Sequence, residues 1–188
     1  MRLISDLGII KDITEKFCAI LEKHCKYIVV SGLVAISTGR SRGTEDVDII
    51  IERIPLERFT VLHAELEANE FECIQEKNAV EIYTKYLADK SPVRYTWNGQ
   101  PLPEMELKMA KDFLDDSQLK NRVKIPESVV DVWFSSIETN LAFKEELLKS
   151  DKDLEDARHL RNLFSEQIDE SKIVKLKELI KKYRLKIK

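Results

Sequence analysis

Two aspartates at the start of a β-branched strand constrain this chain more than any other feature. Residues 28–52 have the sequence IVVSGLVAISTGRSRGTEDVDIIIE. An apolar run ends in Ser31 and Gly32, an apolar helical segment and a polar loop follow, and a second strand opens with Asp46 and Asp48. Because side chains two residues apart in a strand share a face, we expect both carboxylates to project together from a buried strand.

Paired carboxylates of this kind point to a cation. They repel each other and are stabilised by a cation or a shared proton. Their hard oxygen atoms suit Mg²⁺ that also contacts phosphate groups. An isolated Asp-x-Asp is more often a solvated pair, so the inference depends on the strand, turn, helix and loop that precede it. The Ser31–Gly32 turn fits a phosphate nearby, since glycine has no Cβ to keep it away.

The stretch resembles the core signature of the nucleotidyltransferase-fold superfamily, the minimal polymerase-β-like enzymes. In that signature a hydrophobic residue with Gly-Gly/Ser precedes Asp-hydrophobic-Asp/Glu. The run from Arg42 to Asp48, RGTEDVD, is similar to the Arg-x-Thr-x-Asp-hydrophobic-Asp of AbiEii-like prokaryotic nucleotidyltransferases. The resemblance implies an α/β fold, with a small mixed sheet flanked by helices and a C-terminal helical bundle. It also implies Mg²⁺, as one or two ions on Asp46 and Asp48, and a nucleoside triphosphate such as ATP as substrate.

The resemblance further implies which residues contact the nucleotide. These are Ser31 and Gly32 at the turn, Arg42 and Thr44 in the loop, and Lys144. Lys144 and the segment KDLEDA at 152–157 are similar to a lysine and a Lys-Asp-x-x-Asp segment of AbiEii-like proteins, where the lysine lies near the triphosphate. A lysine that covers apolar surface while its ammonium stays in water is the alternative for Lys144.

Charged neighbours of these residues leave alternatives open. Arg40 and Arg42 are expected either to reach phosphates or to pair with Asp46 and Asp48. Asp156 would most simply pair with Lys152 or Arg158 on its own helix.

The third carboxylate of the family is not where the resemblance would put it. The strand predicted at 93–97 carries Arg94 and Thr96 instead of an acidic residue. Glu104 and Glu106 are the nearest carboxylates, and their spacing places both on one side of a following strand. They are therefore the candidates for completing the metal site, and the alternative is that both are ordinary surface residues of that strand.

The chain divides into a predicted α/β core, residues 1–125, and a C-terminal helical region, residues 126–188. A last core strand is predicted at 121–125, and a helix is predicted after Pro126, which suits a first helical turn. His63 is expected to be exposed on its helix. The last 18 residues carry eight Lys or Arg against one Glu, which marks either a nucleic-acid contact or a solvated helix face.

The apolar runs, the first residues and the cysteines indicate the cellular location of the protein. Apolar runs fall short of the ~20 residues that span a membrane, and the first eight residues do not resemble a secretory signal. The three cysteines lack metal-binding spacing, which predicts buried free thiols in a reducing cytoplasm.

Three hypotheses for function follow. The first is a magnesium-dependent nucleotidyltransferase that moves a nucleoside monophosphate from a triphosphate to a hydroxyl of RNA, a protein or a small molecule. The second is an inactive protein of this fold that binds a nucleotide, RNA or a protein partner, as in a toxin–antitoxin pair. It is favoured by Leu33, where the family usually has Gly or Ser, and by the acid missing at 93–97. The third is a helical adaptor with an accidental Asp-x-Asp.

Overall fold

The computed structural model describes residues 6–185, in which helices surround one mixed sheet. Within this range the helices are α1 (Leu7–His24), α2 (Gly32–Ser37), α3 (Leu56–Ala68), α4 (Ala79–Ile82), α5 (Phe113–Lys120), α6 (Ile137–Phe143), α7 (Asp151–Leu163) and α8 (Glu170–Ile180). Helices α4, α6 and α8 continue as π-helical turns at Tyr83–Leu87, Lys144–Leu148 and Lys181–Leu185. The strands are β1 (Tyr27–Val29), β2 (Asp46–Ile51), β3 (Phe71–Cys73), β4 (Val93–Trp97) and β5 (Gln100–Met109).

The sheet has the order β1-β2-β5-β4-β3. Strand β2 pairs antiparallel with β1 and parallel with β5, and the other pairs are antiparallel. Strands β2 and β5 are therefore interior strands, which explains the unbroken apolar run Ile49–Ile51. The predicted fold class, a small mixed sheet flanked by helices, is confirmed.

Alternation along β5 decides which side chains reach the open face of the sheet. Met105, Leu107 and Met109 are buried, whereas the polar residues between them are partly exposed. Because successive strand residues face opposite sides, the buried methionines and leucine anchor β5 to the core. The charged residues of β5 then all lie on the other face, beside the aspartates of β2.

The C-terminal helices share a core with the sheet. Phe134, Leu141, Leu160, Ile173 and Ile180 belong to the same buried cluster as the apolar residues of α1 and β2. This packing places α7 against the loop that precedes β2, where Arg40 and Arg42 donate to Asp156. The boundary at residue 125 stays a prediction.

Two local predictions are wrong. Residues 121–136 are irregular, and Val123 pairs with Phe134 through an isolated bridge, so the predicted strand at 121–125 and the helix from residue 126 are absent there. The apolar residues of this segment pack into the core individually. His63 is buried, because its two ring nitrogens contact the Tyr95 hydroxyl at 2.9 Å and the Lys77 carbonyl at 3.0 Å.

Other features of the chain agree with simpler expectations. Cys18, Cys25 and Cys73 are free thiols, and Cys18 and Cys25 are buried as predicted, whereas Cys73 is partly exposed. Within residues 6–185, the helices all lack the length and apolar character that a membrane span requires. The cytoplasmic location stays a prediction. Residues 186–188 of the basic C-terminal run, and the first five residues of the segment assessed as a signal, lie outside the described residues.

Candidate active site

Four carboxylates meet on the open face of β2 and β5. In the parallel register Asp46 lies opposite Glu104, and Asp48 lies opposite Glu106. Val47 and Ile49 are buried while Asp46 and Asp48 are partly exposed, so the two aspartates share a face. Residues far apart in the sequence thus form one acidic group at the centre of the sheet.

Burial and the neighbouring acidic side chains change the pKa of Asp46. Burial raises the pKa of the Asp46 carboxyl, and the negative charges of Asp48 and Glu106 raise it further, against an opposing effect of Arg94. Like charges disfavour ionisation of a carboxyl, so the raised pKa reflects burial first and the neighbouring acids second. Glu106 is also more buried than Glu104, with a side-chain exposure of 13% against 29%. We therefore assign Glu106, rather than Glu104, as the candidate third carboxylate.

Two cations of the protein already neutralise part of this group. The Lys108 ammonium lies 3.0 Å from Asp48 Oδ1 and 3.7 Å from Glu106 Oε1. Arg94 donates from Nε and Nη2 to Glu106 Oε2 at 3.2 and 3.1 Å. Burial works to lower the pKa of Lys108, but the charge of Asp48 and the hydrogen bond to it outweigh burial and raise that pKa.

The carboxylates suit Mg²⁺ in chemistry, although they are not gathered around an ion. Among residues 6–185, groups of three His, Cys, Asp or Glu do not lie close enough to hold a metal as they stand. The hard oxygen atoms of Asp46, Asp48 and Glu106 are nevertheless the ligand type that Mg²⁺ prefers. Lys108 lies where it offsets the same charge, so a metal ion that binds here would displace its ammonium from Asp48.

The Ser31–Gly32 corner lies beside the carboxylates. The backbone N–H of Val30 donates to the Asp48 carbonyl at 3.0 Å, which joins the end of β1 to β2. Ser31 has a φ of 65°, in the left-handed region. Gly32 begins α2, and the Arg42 guanidinium lies over it so closely that a Cβ at position 32 would collide with Nη2 and lie 3.3 Å from Cζ.

Asp156 of α7 holds three cations at this corner. Its carboxylate is fully buried, and it accepts from Arg42 Nε at 3.0 Å, Arg42 Nη2 at 2.9 Å, Arg40 Nη1 at 2.6 Å and Lys144 Nζ at 2.8 Å. Lys144 also contacts Asp153 Oδ1 at 3.2 Å. Burial alone would raise the pKa of the Asp156 carboxyl, but the bonds from Arg42 and Lys144 lower it. The cluster therefore holds three cationic side chains next to the glycine turn, and Asp156, Asp153 and Glu155 balance their charge.

Two cavities meet at Ser31. The larger, of about 360 Å³, lies between the sheet and the C-terminal helices and is lined by Ser31, Asp48, Glu106 and Lys144, among others. The smaller, of about 240 Å³, is lined by Ser31, Gly32, Arg42, Thr44 and Asp46. The larger cavity falls in the size range of small-molecule sites.

Some expectations about individual residues need correction. Arg40 and Arg42 do not pair with Asp46 and Asp48, because Asp156 engages both. Asp156 consequently does not pair with Lys152 or Arg158. Lys144 does not extend to solvent, since its side chain is 1% exposed and its ammonium is bound at the cluster.

The nucleotide contacts predicted from the sequence stay predictions. Ser31, Gly32, Arg42 and Thr44 line the smaller cavity, and Lys144 lines the larger. The Thr44 hydroxyl donates to the Asp46 carbonyl at 2.8 Å, which fixes the loop entering β2. Sequence reasoning missed Lys108, although its alternation with Glu106 would have placed both on one face.

Comparison with known proteins relates the chain to nucleotidyltransferases by structure alone. Neither a family model nor a curated protein matches the sequence. A nucleotidyltransferase-like antigenic protein from Paracoccidioides brasiliensis superposes with a TM-score of 0.55 and 16% identity, over 98% of this chain and 92% of that chain.

The antibiotic-resistance factor ANT(2'')-Ia is similar in two further structures. Its solution structure gives a TM-score of 0.56 with 12% identity, over 93% of this chain and 92% of that one. Its crystal structure with adenylyl-2''-tobramycin gives 0.56 with 16% identity, over 93% and 98%. At such identities the likeness shows the fold. The chain has a nucleotidyltransferase-like fold along nearly its whole length.

Proposed function

We propose that this protein is a magnesium-dependent nucleotidyltransferase that uses a nucleoside triphosphate such as ATP. The observation that carries the proposal is the register of β2 and β5, which sets Glu106 beside Asp48 on the face that also presents Asp46. This arrangement supplies a third carboxylate that the sequence of β4 lacks. The AbiEii-like sequence pattern at 42–48 supports the same conclusion.

Asp46, Asp48 and Glu106 are the residues that would hold Mg²⁺. When bound, the ion neutralises phosphate charge and orients the reacting groups. Arg42 and Lys144 add positive charge, and Gly32 leaves room for the phosphates beside the turn. Asp156 keeps both cations at the corner.

The reaction joins the α-phosphorus of the nucleotide to an acceptor. The acceptor hydroxyl oxygen forms the new bond to phosphorus with its electron pair, and its proton passes to Glu106. The bond from the α-phosphorus to the bridging oxygen breaks, and pyrophosphate leaves with that electron pair. Because ANT(2'')-Ia is seen with adenylyl-2''-tobramycin, a small-molecule acceptor is one candidate. RNA and protein hydroxyls are the others.

A transfer assay tests this proposal. The protein is incubated with Mg²⁺ and triphosphates labelled at the α-phosphate, together with RNA, protein and small-molecule fractions. The account predicts label in one acceptor fraction and its loss in Asp48→Ala. Metal-dependent nucleotide binding without transfer would instead support a binding protein.

A binding role is the second candidate function. Lys108 and Arg94 already neutralise Asp48 and Glu106, as expected where a metal is no longer used. Leu33 after Gly32 points the same way. Such a protein would bind a nucleotide, RNA or a protein partner, as in a toxin–antitoxin pair. Transfer of label that depends on Asp48 would exclude it.

A further inference from the structure

The cavity of about 360 Å³ beside Ser31 extends beyond the carboxylates into a basic region. Its lining includes five cationic side chains, Lys90, Lys108, Lys111, Lys144 and Arg184, against three carboxylates, Asp48, Glu106 and Asp115. Three of the cations have carboxylate partners within the protein. Lys108 contacts Asp48, Lys144 contacts Asp156, and Arg184 contacts Asp115 at 2.7 Å.

The other two cations, Lys90 and Lys111, stand out. Both are exposed, and within residues 6–185 neither forms an ion pair with a carboxylate at 4 Å or less. Burial lowers the pKa of Lys111, and the charge of Arg184 lowers it further. Burial and the charge of Arg184 thus disfavour the charged form of Lys111, and an anion beside its ammonium would favour that form.

A neighbouring cavity extends the same basic surface. It has a volume of about 440 Å³ and shares Lys90, Met109 and Lys111 with the cavity of about 360 Å³. Arg53 also lines it, and among the described residues Asp and Glu are absent from its lining. Lys90 and Lys111 therefore lie where these two cavities meet, and Gly32 and Arg42 line neither of them.

We propose that this junction binds a phosphate group carried by the acceptor, which Lys90 and Lys111 hold while the acceptor hydroxyl lies near Asp48 and Glu106. The inference rests on the proposed transfer function and specifies its acceptor class. A phosphate accepts strong charge-assisted bonds from two ammonium groups. An amine-rich acceptor would bring like charge to the same place and be disfavoured.

Inorganic phosphate is the probe that tests this site. Its binding is followed by the broadening of the ³¹P NMR signal, with Mg²⁺ and α,β-methylene-ATP present at saturation. Wild-type protein is compared with Lys90→Met/Lys111→Met and with the control Lys120→Met. Lys120 is an exposed lysine on α5 that lines neither of the two cavities of the basic region. We expect saturable binding that weakens about tenfold or more in the double variant and stays unchanged in the control.

Competition identifies the source of the phosphate. Displacement of phosphate by ribose 5-phosphate but not by a short single-stranded RNA assigns a small phosphate ester, and displacement by the RNA assigns a strand end. Displacement by neutral ribose, or by neither phosphate compound, would overturn the inference. So would equal binding in the double variant, or absence of saturable phosphate binding in the wild type.

Nucleotide binding is measured in the same samples, which separates the two proposals. If α,β-methylene-ATP binds but the affinity for phosphate is the same without Lys90 and Lys111, only the acceptor inference fails. If phosphate binding depends on both lysines but the nucleotide does not bind, the transfer function fails instead.

Discussion

Asp48 and Glu106 lie side by side on adjacent parallel strands, and the ammonium of Lys108 contacts both. This pairing brings Glu106 to the face of the sheet that Asp46 and Asp48 share. It also identifies Glu106, and not its neighbour Glu104, as the residue to test.

Replacement of Glu106 should abolish transfer while replacement of Glu104 should not. Glu106→Gln removes a charge beside Asp48, so we expect transfer to fall by about a hundredfold or more. Glu104→Gln, two residues away on the same strand face, should change the rate by no more than about threefold. Rates from labelled nucleotide decide the matter, and equal losses in both variants would contradict the assignment.

Replacement of Asp156 should lower the free energy of unfolding far more than replacement of its neighbour Glu155. Asp156→Asn leaves Arg40, Arg42 and Lys144 without their buried carboxylate, and we expect the free energy of unfolding to fall by about 3 kcal/mol or more. Glu155→Gln, which loses an exposed partner of Arg40, should cost about 1 kcal/mol at most. Urea unfolding at neutral pH measures the loss of unfolding free energy in each variant. Similar losses in the two variants would show that the buried cluster contributes little to stability.

The contribution of Asp156 should also depend on pH. The native state holds the pKa of this carboxyl below the ordinary value of 3.8. Its stabilisation is therefore complete above that value and is lost as the pH falls below it toward the native pKa. The difference in unfolding free energy between wild type and Asp156→Asn should therefore become smaller on acidification. A difference that grows on acidification would contradict this prediction.

Asp46 should carry a stability cost. Because its native pKa is raised, the ionised carboxyl is less favourable in the folded protein than in the unfolded chain. Asp46→Asn should therefore raise the unfolding midpoint at neutral pH while removing transfer. The advantage should shrink as the pH falls through the native pKa of Asp46, where the wild type takes up its proton. Asp12→Asn, an exposed change on α1, is the control, and a destabilised Asp46→Asn would contradict the crowding of the three acids.

Gly32 should tolerate no side chain while Arg42 is held by Asp156. Gly32→Ala places a methyl group against the Arg42 guanidinium, and overpacking of this kind costs about 1–3 kcal/mol. Displaced Arg42 should also weaken nucleotide binding. Gly39→Ala is the control. Gly39 has a φ of 105°, so an alanine there is strained, but its Cβ would meet open space and would not collide with a side chain. Thermal melting and nucleotide titration of both variants check this, and a nucleotide affinity unchanged in Gly32→Ala would exclude Arg42 from the site.

Residues 28–52 could be predicted because their pattern is local. Alternation placed Asp46 and Asp48 on one face, and the Ser31–Gly32 turn lies where the pattern indicates. The partners of these residues depend on long-range pairing. The register of β2 with β5 brings Glu106 to Asp48, and helix packing brings Asp156 to Arg42, which spacing along the chain does not encode.

The irregular segment 121–136 shows the same limit. Val130 and Phe134 recur at helical spacing with Ile137, yet they are buried as separate anchors of a coil. Periodicity records which residues are apolar, and helical spacing arises by chance in a short segment. The burial of His63 also depends on residues distant in the sequence. The Tyr95 hydroxyl and the Lys77 carbonyl form hydrogen bonds with its ring nitrogens inside the protein.

The central claim is that Asp46, Asp48 and Glu106 hold a divalent ion together with a nucleotide. Titration with Mn²⁺ in place of Mg²⁺, followed by the EPR signal of the free ion, measures this directly in the presence of α,β-methylene-ATP. The account predicts that wild-type protein removes Mn²⁺ from solution with the nucleotide present and that Asp48→Asn does not. Equal Mn²⁺ uptake by both proteins, or uptake by neither, would contradict it.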